Sequence, residues 1–237
     1  DYAEAHNNLG LALAAENRLD EAVTQYREAL DSNPAYTNAH NNLGATLARQ
    51  GKLDEATAQF RKALESNPGG SMAEANLGHA LLAQNKFDEA RPHLERALQI
   101  SPELVEARYD LGAALMINGQ RAQALAHWRQ ALRQAPGNVR VLNDTAWALA
   151  TCADAALRNG SEAVSLAEHA VALTSGRDAA LLATLAAAYA EAGRFDRAVE
   201  LEKRATDLAT QAGNASMAAT LRARLTQLEA KIPIRQP

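Results

Sequence analysis

Several residue types and patterns are scarce in this chain of 237 residues, and each scarcity excludes a class of protein. A single cysteine, Cys152, permits neither an internal disulfide nor a zinc site of four cysteines or of two cysteines and two histidines. The longest nearly apolar run, Ala179 to Ala190, has 12 residues and is shorter than the roughly 20 needed to cross a bilayer. Lys and Arg form no cluster and the net charge is −4. We therefore expect no nucleic-acid partner and no direct membrane insertion of this chain.

The rest of the composition favours helices packed at short distances. Aromatic residues number only 10 and Gly plus Pro only 20, whereas Ala accounts for 55 residues. Small side chains let helix backbones approach closely, and a low content of turn-forming residues argues against a chain of many strands. The composition therefore predicts an all-α protein.

The sequence repeats with a period of 34 residues. Leu-Gly and a closing proline recur four times, and Asp-Glu-Ala recurs three times, all at this spacing. Within each unit, two stretches carry apolar residues at helical spacing with a polar break between them, which predicts two antiparallel helices joined by a tight turn. The Leu-Gly pairs are Leu9-Gly10, Leu43-Gly44, Leu77-Gly78 and Leu111-Gly112, and the prolines are Pro34, Pro68, Pro102 and Pro136.

The recurrent glycines and prolines have a mechanical interpretation. Glycine inside a helix costs up to about 1 kcal/mol relative to alanine, so its recurrence indicates a point where the second helix approaches closely. We expect the alanines of the second helices to be the opposing contacts. Proline disfavours helical geometry in the residue before it and so ends the second helix. The expected contact alanines are Ala22, Ala56, Ala90 and Ala124.

This pattern resembles the tetratricopeptide repeat family, and the resemblance covers nearly the whole chain. It implies a single right-handed α-solenoid whose first helices line a concave groove, closed by a C-terminal capping helix. The fifth unit is divergent, because it has Thr145-Ala146 in place of Leu-Gly and is six residues longer. The expected units are residues 3–36, 37–70, 71–104, 105–138, 139–178 and 179–212, followed by a capping helix over 215–231 and a tail over 232–237.

The sixth residue of each unit forms a polar ladder. It is Asn8, Asn42 and Asn76 in the first three units and Asp110 and Asp144 in the next two. An asparagine side chain donates and accepts hydrogen bonds, so it can pair with a peptide amide. The asparagines resemble the ladder that holds peptide backbone in the repeat arm of O-linked N-acetylglucosamine transferase, whereas the two aspartates favour a basic ligand. The alternative is that these side chains cap neighbouring helices or face water.

Further residues lie in the same helical phase and complete the predicted groove. Aromatic residues beside acidic ones suit a peptide that carries Lys or Arg next to an apolar residue. Trp147 has an equally good alternative role, which is to fill the space that the irregular fifth unit leaves. The additional predicted groove residues are Asn7, Asn41, Arg49, His79, Tyr109, Met116 and Trp147.

The sequence contains no recognisable catalytic constellation. It has no H-E-x-x-H, phosphate-binding loop, G-x-S-x-G or dinucleotide fingerprint. His6 and His40 occupy equivalent places in successive units, so their spacing comes from duplication and not from metal geometry. Cys152 is interpreted as a small buried hydrophobe. We expect no enzyme activity, no metal and no cofactor.

The leading hypothesis is a non-catalytic scaffold that binds an extended peptide of a protein partner in the concave groove. Two alternatives stay open. The C-terminal part resembles the end of long bacterial repeat proteins, some with a membrane glycosyltransferase-like region upstream, which implies a recruiting or regulatory arm of a larger enzyme. The lack of an N-terminal capping segment suggests the C-terminal piece of a longer protein, or self-association through the solenoid ends. The bacterial cytoplasm and a periplasmic location are both compatible with the sequence.

Overall fold

The computed structural model describes residues 2–236, and these form thirteen α-helices and one short 3-10 helix, without any strand. The predicted all-α fold is therefore confirmed. Twelve of the α-helices form six pairs, in which an A helix is followed by a B helix, and the thirteenth, α13 (Ala215–Glu229), comes last. The A helices are α1 (Tyr2–Ala15), α3 (Thr37–Arg49), α5 (Ser71–Ala83), α7 (Val105–Ile117), α9 (Val139–Thr151) and α11 (Ala179–Glu191). The B helices are α2 (Leu19–Ser32), α4 (Leu53–Ser66), α6 (Phe87–Ile100), α8 (Arg121–Gln134), α10 (Gly160–Leu173) and α12 (Phe195–Gln211).

The described chain divides into two compact units. The first extends to Gln120 and contains α1 to α7, and the second begins at Arg121 and contains α8 to α13. In the first unit, the A helices α1, α3 and α5 each pack against their own B helix, and each B helix packs against the next A helix. The pairs therefore stack in the order of the sequence, as in an α-solenoid. The second unit repeats this arrangement from α9 to α13.

The turn between the A and B helices has the same backbone conformation in the first four repeats. Its second residue has a positive φ, which glycine and asparagine tolerate better than other residues. One residue later, a backbone N–H returns to the end of the A helix, as where Arg18 donates to the Leu13 carbonyl over 2.9 Å. The turn therefore satisfies a carbonyl that the helix end would otherwise leave without a partner. The residues with positive φ are Asn17 (62°), Gly51 (77°), Asn85 (59°) and Gly119 (76°).

Three of the recurrent glycines lie where a large side chain of the B helix rests on the backbone of the A helix. The close approach predicted from the glycines is confirmed, and Ala90 contributes to it, because its carbonyl oxygen would lie 3.3 Å from a Cβ at Gly78. The nearest atoms, however, do not belong to the expected alanines. Alanines such as Ala56 are fully buried, whereas the direct contact comes from the residue four positions later. The pairs are Gly10 with Tyr26, Gly44 with Phe60 and Gly78 with Leu94, and in each of them an added Cβ would lie 2.6 Å from the opposing side chain.

The extra residues of the fifth repeat form a connection that is tied to the end of α9. They contain the 3-10 helix Ala155–Leu157 and lead to Asn159, which caps α10 by accepting a hydrogen bond from the Glu162 N–H over 3.1 Å. The N–H of Asn159 in turn donates to the carbonyl of Leu149 in α9 over 2.9 Å. The insertion is thus held against the first helix of its own repeat.

The last helix is shorter than the sequence predicts. Helix α13 ends at Glu229, and Lys231 then has a φ of 57°. The N–H of Ile232 donates to the carbonyl of Gln227 over 2.9 Å, which closes the helix end. Residues 232–236 follow without regular secondary structure.

Candidate functional site

Each inner A helix of the first unit leaves one narrow stripe of side chains accessible. The B helices and the neighbouring repeats bury the rest of the helix surface. The accessible residues recur at helical spacing, so they lie on a single face, and α5 repeats the positions of α3 one unit later. We call this face the open stripe. Its members are Asn38, Asn41, Asn42, Ala45, Ala48 and Arg49 in α3, and Met72, Ala75, Asn76, His79, Leu82 and Ala83 in α5.

The asparagine ladder joins neighbouring A helices. Asn42 Nδ2 donates to Asn7 Oδ1 over 2.9 Å, and one repeat later Asn76 Nδ2 donates to Asn41 Oδ1 over 3.0 Å. Asn42 and Asn76 are half-buried, and within residues 2–236 their Oδ1 atoms accept no hydrogen bond. Each of these amides is therefore held in one orientation by the preceding repeat while it presents an acceptor on the open stripe.

The other asparagines of the predicted site differ in accessibility. Asn8 is exposed on α1, and Asn41 is half-buried. The prediction that Asn7 lines the groove was wrong, because its side chain is only 4% exposed. Asn7 faces α3 and accepts the hydrogen bond from Asn42. Its polar group is buried because a neighbouring repeat supplies the partner that water would otherwise supply.

Arg49 lies at the end of the open stripe but caps a neighbouring helix. Its Nη1 donates to the carbonyl of Ala14 over 2.9 Å, and its Nη2 donates to Asn17 Oδ1 over 3.1 Å. A cation at the C-terminal end of α1 also interacts favourably with the helix dipole. The guanidinium that we predicted for ligand contact is thus engaged within the chain.

The ladder changes its chemistry at the fourth repeat. Asp110 cannot bond to the preceding repeat as the asparagines do, because the position equivalent to Asn7 and Asn41 is Ala75. Instead, Asp110 Oδ2 lies 2.8 Å from Nδ1 of His79, across α5 and α7. The Asp110 side chain is buried, whereas that of His79 is 57% exposed. The predicted groove acid is therefore covered by a histidine that faces solvent.

Two further predicted residues lie on α7. Tyr109 was expected as an accessible aromatic side chain, and this was wrong, because the residue is only 9% exposed. Met116 is half-buried and lies on the accessible side of the helix. Of this pair, only Met116 can contribute to an accessible surface.

In the second unit, the A helix α11 has no open stripe. All residues from Leu181 to Ala190 are buried, including Thr184 at the ladder position. Helix α13 contributes to this burial, because its Ala218 and Leu221 belong to the same apolar cluster as Ala183. The capping helix therefore covers a face that is open in α3 and α5.

Trp147 and Asp144 lie on the corresponding face of α9. The guanidinium carbon of Arg224, in α13, lies 4.6 Å from the centroid of the Trp147 ring, so a cation–π contact links the capping helix to α9. Trp147 itself is half-buried. Asp144 is half-buried and accepts a hydrogen bond from Asn143 Nδ2 over 3.0 Å.

A second recurrent surface was not predicted from the sequence. Two open clefts of about 770 and 550 Å³ lie between successive repeats, and most of their lining residues are related by 34 positions. In the first, His40 lies 2.8 Å from Gln59 Oε1 and 2.9 Å from the Pro34 carbonyl. In the second, Glu74 replaces this histidine and pairs with His93 Nδ1 over 2.6 Å. The signal in the sequence is the recurrence of His6 and His40 at equivalent places, which duplication alone also explains.

Neither a metal-ligand cluster nor a membrane-spanning helix is found among the described residues. Between residues 2 and 236, no three or more His, Cys, Asp and Glu side chains are grouped so that they could hold a metal ion. In the same range, no helix combines the length and apolar character of a membrane span. Cys152 is buried, as expected of a small hydrophobe.

The sequence matches known repeat families over most of residues 7–143. Two family models, both described as tetratricopeptide repeat, match residues 7–71 and 81–143, which together make up more than half of the chain. The chain belongs to the tetratricopeptide repeat (TPR) family. The resemblance drawn from the Leu-Gly, alanine and proline pattern is thus confirmed. No curated protein matches the sequence significantly.

Solved structures with the same fold include several TPR proteins. PilF of Pseudomonas aeruginosa is 21% identical with a TM-score of 0.78, over 94% of this chain and 97% of that chain. PilW, described as a widely conserved type IV pilus biogenesis factor, is 18% identical with a TM-score of 0.78, over 92% and 97%. YrrB is 23% identical with a TM-score of 0.56, over 72% and 85%. At these identities the likeness concerns the fold, which is an all-α TPR solenoid.

Proposed function

We propose that this TPR protein is a non-catalytic scaffold that binds an extended polypeptide segment along the open stripe of α3 and α5. The observation that carries this proposal is the geometry of Asn42 and Asn76. Their Nδ2 atoms are anchored on the preceding repeat, and their Oδ1 atoms stay available one repeat apart. A row of fixed acceptors suits the N–H groups of a peptide backbone.

The anchoring matters because it removes part of the entropy cost of binding. A free asparagine side chain must be immobilised when a ligand binds, which costs about 0.5–1.5 kcal/mol for a rotamer-rich side chain. In Asn42 and Asn76 the inter-repeat hydrogen bond has already fixed the amide plane. A ligand that accepts this orientation therefore gains each hydrogen bond at a lower entropic cost.

The repeat spacing indicates the conformation of the ligand. Packed helices lie roughly 8–10 Å apart. A polyproline II segment rises about 3.1 Å per residue and presents an equivalent peptide group after every third residue. Three residues of such a segment therefore match one repeat. We propose that the ligand lies in this extended conformation, with one N–H group directed to each ladder asparagine.

The two aspartates at the ladder positions, which would favour a basic ligand, are engaged within the chain. The Asp110 carboxylate is buried beside His79, and that of Asp144 accepts from Asn143. Both acids are thus engaged by side chains of the chain itself. His79, which is exposed on the open stripe, is the more accessible partner for an acidic or polar ligand group.

The family and one structural neighbour support the proposal. TPR repeats are protein-interaction modules, and two repeat models match this chain. YrrB is described as a TPR protein with an unusual peptide-binding site. We propose peptide binding here from the geometry of the ladder. YrrB shows that a protein of this fold can have a peptide-binding site.

The test begins with a library of short, unstructured peptides panned against the full chain. Each peptide that binds is titrated against the chain with Asn42→Ala and Asn76→Ala together. We expect affinity to fall by about 1–3 kcal/mol in total, because each lost hydrogen bond is worth about 0.5–1.5 kcal/mol. Methylating one backbone N–H of the peptide should lower its affinity by the amount expected for one hydrogen bond. The double variant should bind the methylated and the unmethylated peptide equally, because the acceptor of that hydrogen bond is already absent.

The control is Gln99→Ala, which removes an exposed amide side chain from the B helix α6. It should leave the affinity of every peptide unchanged. Thermal melts of all variants show whether a lost affinity reflects unfolding. Equal affinities of the double variant and the parent chain would contradict the proposal, as would a library that yields no peptide bound on the first unit.

A further inference from the structure

Residues 232–236, here called the tail, lie against the C-terminal end of α9. The N–H of Gln236 donates to the carbonyl of Thr151, the last residue of α9, over 2.8 Å. Ile234 is only 6% exposed, although it belongs to a segment without regular secondary structure. The tail therefore makes a backbone hydrogen bond and buries an apolar side chain, the two features by which a protein holds an extended peptide.

Arg235 adds a charged contact to the same surface. Its Nη2 lies 2.7 Å from Glu191 Oε2, at the end of α11, and its Nη1 donates to the carbonyl of Ala150 over 3.3 Å. Only 15% of the Glu191 side chain is exposed, so this ion pair is partly shielded from solvent. The tail thus presents a buried aliphatic residue and an ion-paired arginine that are adjacent in sequence.

The insertion of the fifth repeat also contributes to this surface, through Arg158. Arg158 Nε donates to Glu191 Oε1 over 2.9 Å, and Arg158 Nη1 donates to the carbonyl of Cys152 over 2.9 Å. Glu191 therefore lies between two arginines, of which one belongs to the body of the second unit and the other to the tail. The residues that make the fifth repeat longer thus hold Glu191 in place.

We propose that this surface is a peptide-binding site for an extended segment with an aliphatic residue directly followed by arginine. The tail is its resident occupant, and a segment of a partner protein with the same chemistry takes its place. This site lies wholly in the second unit, and it does not depend on the asparagine ladder of the first unit.

Release of the tail leaves no buried charge without a partner. Glu191 keeps its bond to Arg158, so no buried charge loses its last partner, which is the costly step when a buried ion pair is broken. The carbonyls of Ala150 and Thr151 lie at a helix end, where water can replace the tail. Ile234 is the single large apolar side chain of the tail that is buried. The tail is therefore held by few contacts, and Arg158 and water can replace the polar ones.

The tail also has a strong advantage over a free ligand. It is tethered to α13, and a short tether gives an effective concentration on the order of millimolar. A free peptide with the same contacts must compete with that concentration. The full chain should therefore bind such a peptide weakly, and removal of the tail should expose the site.

The experiment uses the tail itself as the probe. A fluorescein-labelled peptide of residues 231–237 is titrated, by fluorescence anisotropy, against the full chain and against the chain truncated after Lys231. We expect saturable binding to the truncated chain and binding at least about tenfold weaker to the full chain. Peptides with Arg235→Ala or with Ile234→Ser should each bind at least about fivefold more weakly than the parent peptide.

A variant of the receiving surface separates specific binding from adhesion. In the truncated chain, Glu191→Gln should weaken the parent peptide and leave the Arg235→Ala peptide unaffected, because the lost contact is with that arginine. Glu229→Gln is the matched control, because Glu229 is an exposed acid whose carboxylate pairs with Lys203, at 3.3 Å. This variant should change the affinity of neither the parent peptide nor the Arg235→Ala peptide.

The proposal fails if a folded truncated chain does not bind the peptide, or if the full and truncated chains bind it equally. Circular dichroism shows whether truncation leaves the helices intact. If it does not, the full chain with Ile234→Ser and Arg235→Ala replaces the truncated one, since this variant keeps the chain length and weakens only the resident tail. Absence of peptide binding to that variant would also overturn the proposal.

Discussion

Asn42 donates its side-chain amide to Asn7 across two successive A helices, over 2.9 Å. The same bond recurs one repeat later between Asn76 and Asn41, over 3.0 Å. The ladder therefore belongs both to the open stripe and to the interface between repeats. In a solenoid, stability is approximately a sum of repeat and interface terms, so these side chains contribute to folding as well as to the proposed binding.

Replacing Asn42 by alanine should destabilise the chain even without a ligand. The buried Oδ1 of Asn7 would lose its donor, and an unsatisfied buried polar group costs about 1–3 kcal/mol. Asn7→Ala together with Asn42→Ala should cost less than the sum of the single changes, because the double variant leaves no orphaned group. Urea unfolding of the four chains measures this coupling.

The matched control for this cycle is Asn38→Ala, on the same helix. Asn38 is exposed, and a surface change of this kind alters stability by no more than about 0.5 kcal/mol. Strictly additive costs of Asn7→Ala and Asn42→Ala would show that the two side chains are not bonded in solution.

Gly44→Ala should be destabilising, and the sign of its effect should depend on Phe60. A Cβ at residue 44 would lie 2.6 Å from the Phe60 ring, and overpacking of this kind costs about 1–3 kcal/mol. In a Phe60→Ala background the clash disappears. The higher helix propensity of alanine should then make Gly44→Ala neutral or stabilising by up to about 1 kcal/mol. Thermal melts of the four chains measure both effects.

If Gly44→Ala costs the same in both backgrounds, the ring is not the obstacle. Gly51→Ala serves as a comparison, because a Cβ at residue 51 meets no atom within 4 Å, although its φ is 77°. Its cost should come from backbone strain alone and should not respond to Phe60→Ala.

The stability of the second unit should fall as the pH rises towards neutrality, because of Glu202. This residue of α12 is 1% exposed, and within residues 2–236 its Oε1 makes no hydrogen bond. Burial raises the pKa of Glu202 from 4.5 to about 7, and the charge of Arg224 only partly opposes this. Between these two values the unfolded chain is ionised and the folded chain holds the proton, so stability decreases with rising pH.

Glu202→Gln tests this directly, because glutamine keeps the shape and cannot ionise. At pH 8 the variant should be more stable than the parent chain by about 1–3 kcal/mol, whereas near pH 5 the two should differ little. Glu200→Gln is the control, since Glu200 is an exposed residue of the same helix that pairs with Arg197. Urea unfolding at both pH values measures the difference. Parallel pH profiles of the Glu202 variant and the parent chain would contradict the prediction.

The repeating part of the fold was predictable because its signals are local. Glycine and proline act on the backbone of their own helix or turn, and apolar spacing decides which face of each helix is covered. The A helices from α3 to α11 begin at Thr37, Ser71, Val105, Val139 and Ala179, which are the first residues of the units read from the period. The identity of the side chain opposite each glycine was not predictable, because it depends on the tilt between two helices.

The helix face that carries the candidate site was predictable from the sequence, but the burial of its individual residues was not. The helical phase placed Asn42, Asn76 and His79 on one face, and the structure leaves that face accessible. The same phase included Asn7 and Tyr109, which are buried. Phase is a property of one helix, whereas burial depends on the neighbouring helices, so sequence spacing cannot separate the two.

The sequence by itself therefore determined the helices, their pairing and the face that each pair presents, since all of these follow from interactions within one repeat or between adjacent repeats. Tertiary structure alone decided which polar side chains bond to each other and that α13 covers the face of α11 that is open in α3 and α5. Arg235 contacts the carbonyl of Ala150, 85 residues earlier. Such a contact produces no repeating pattern in the sequence, because it occurs once and joins residues that are far apart in the chain.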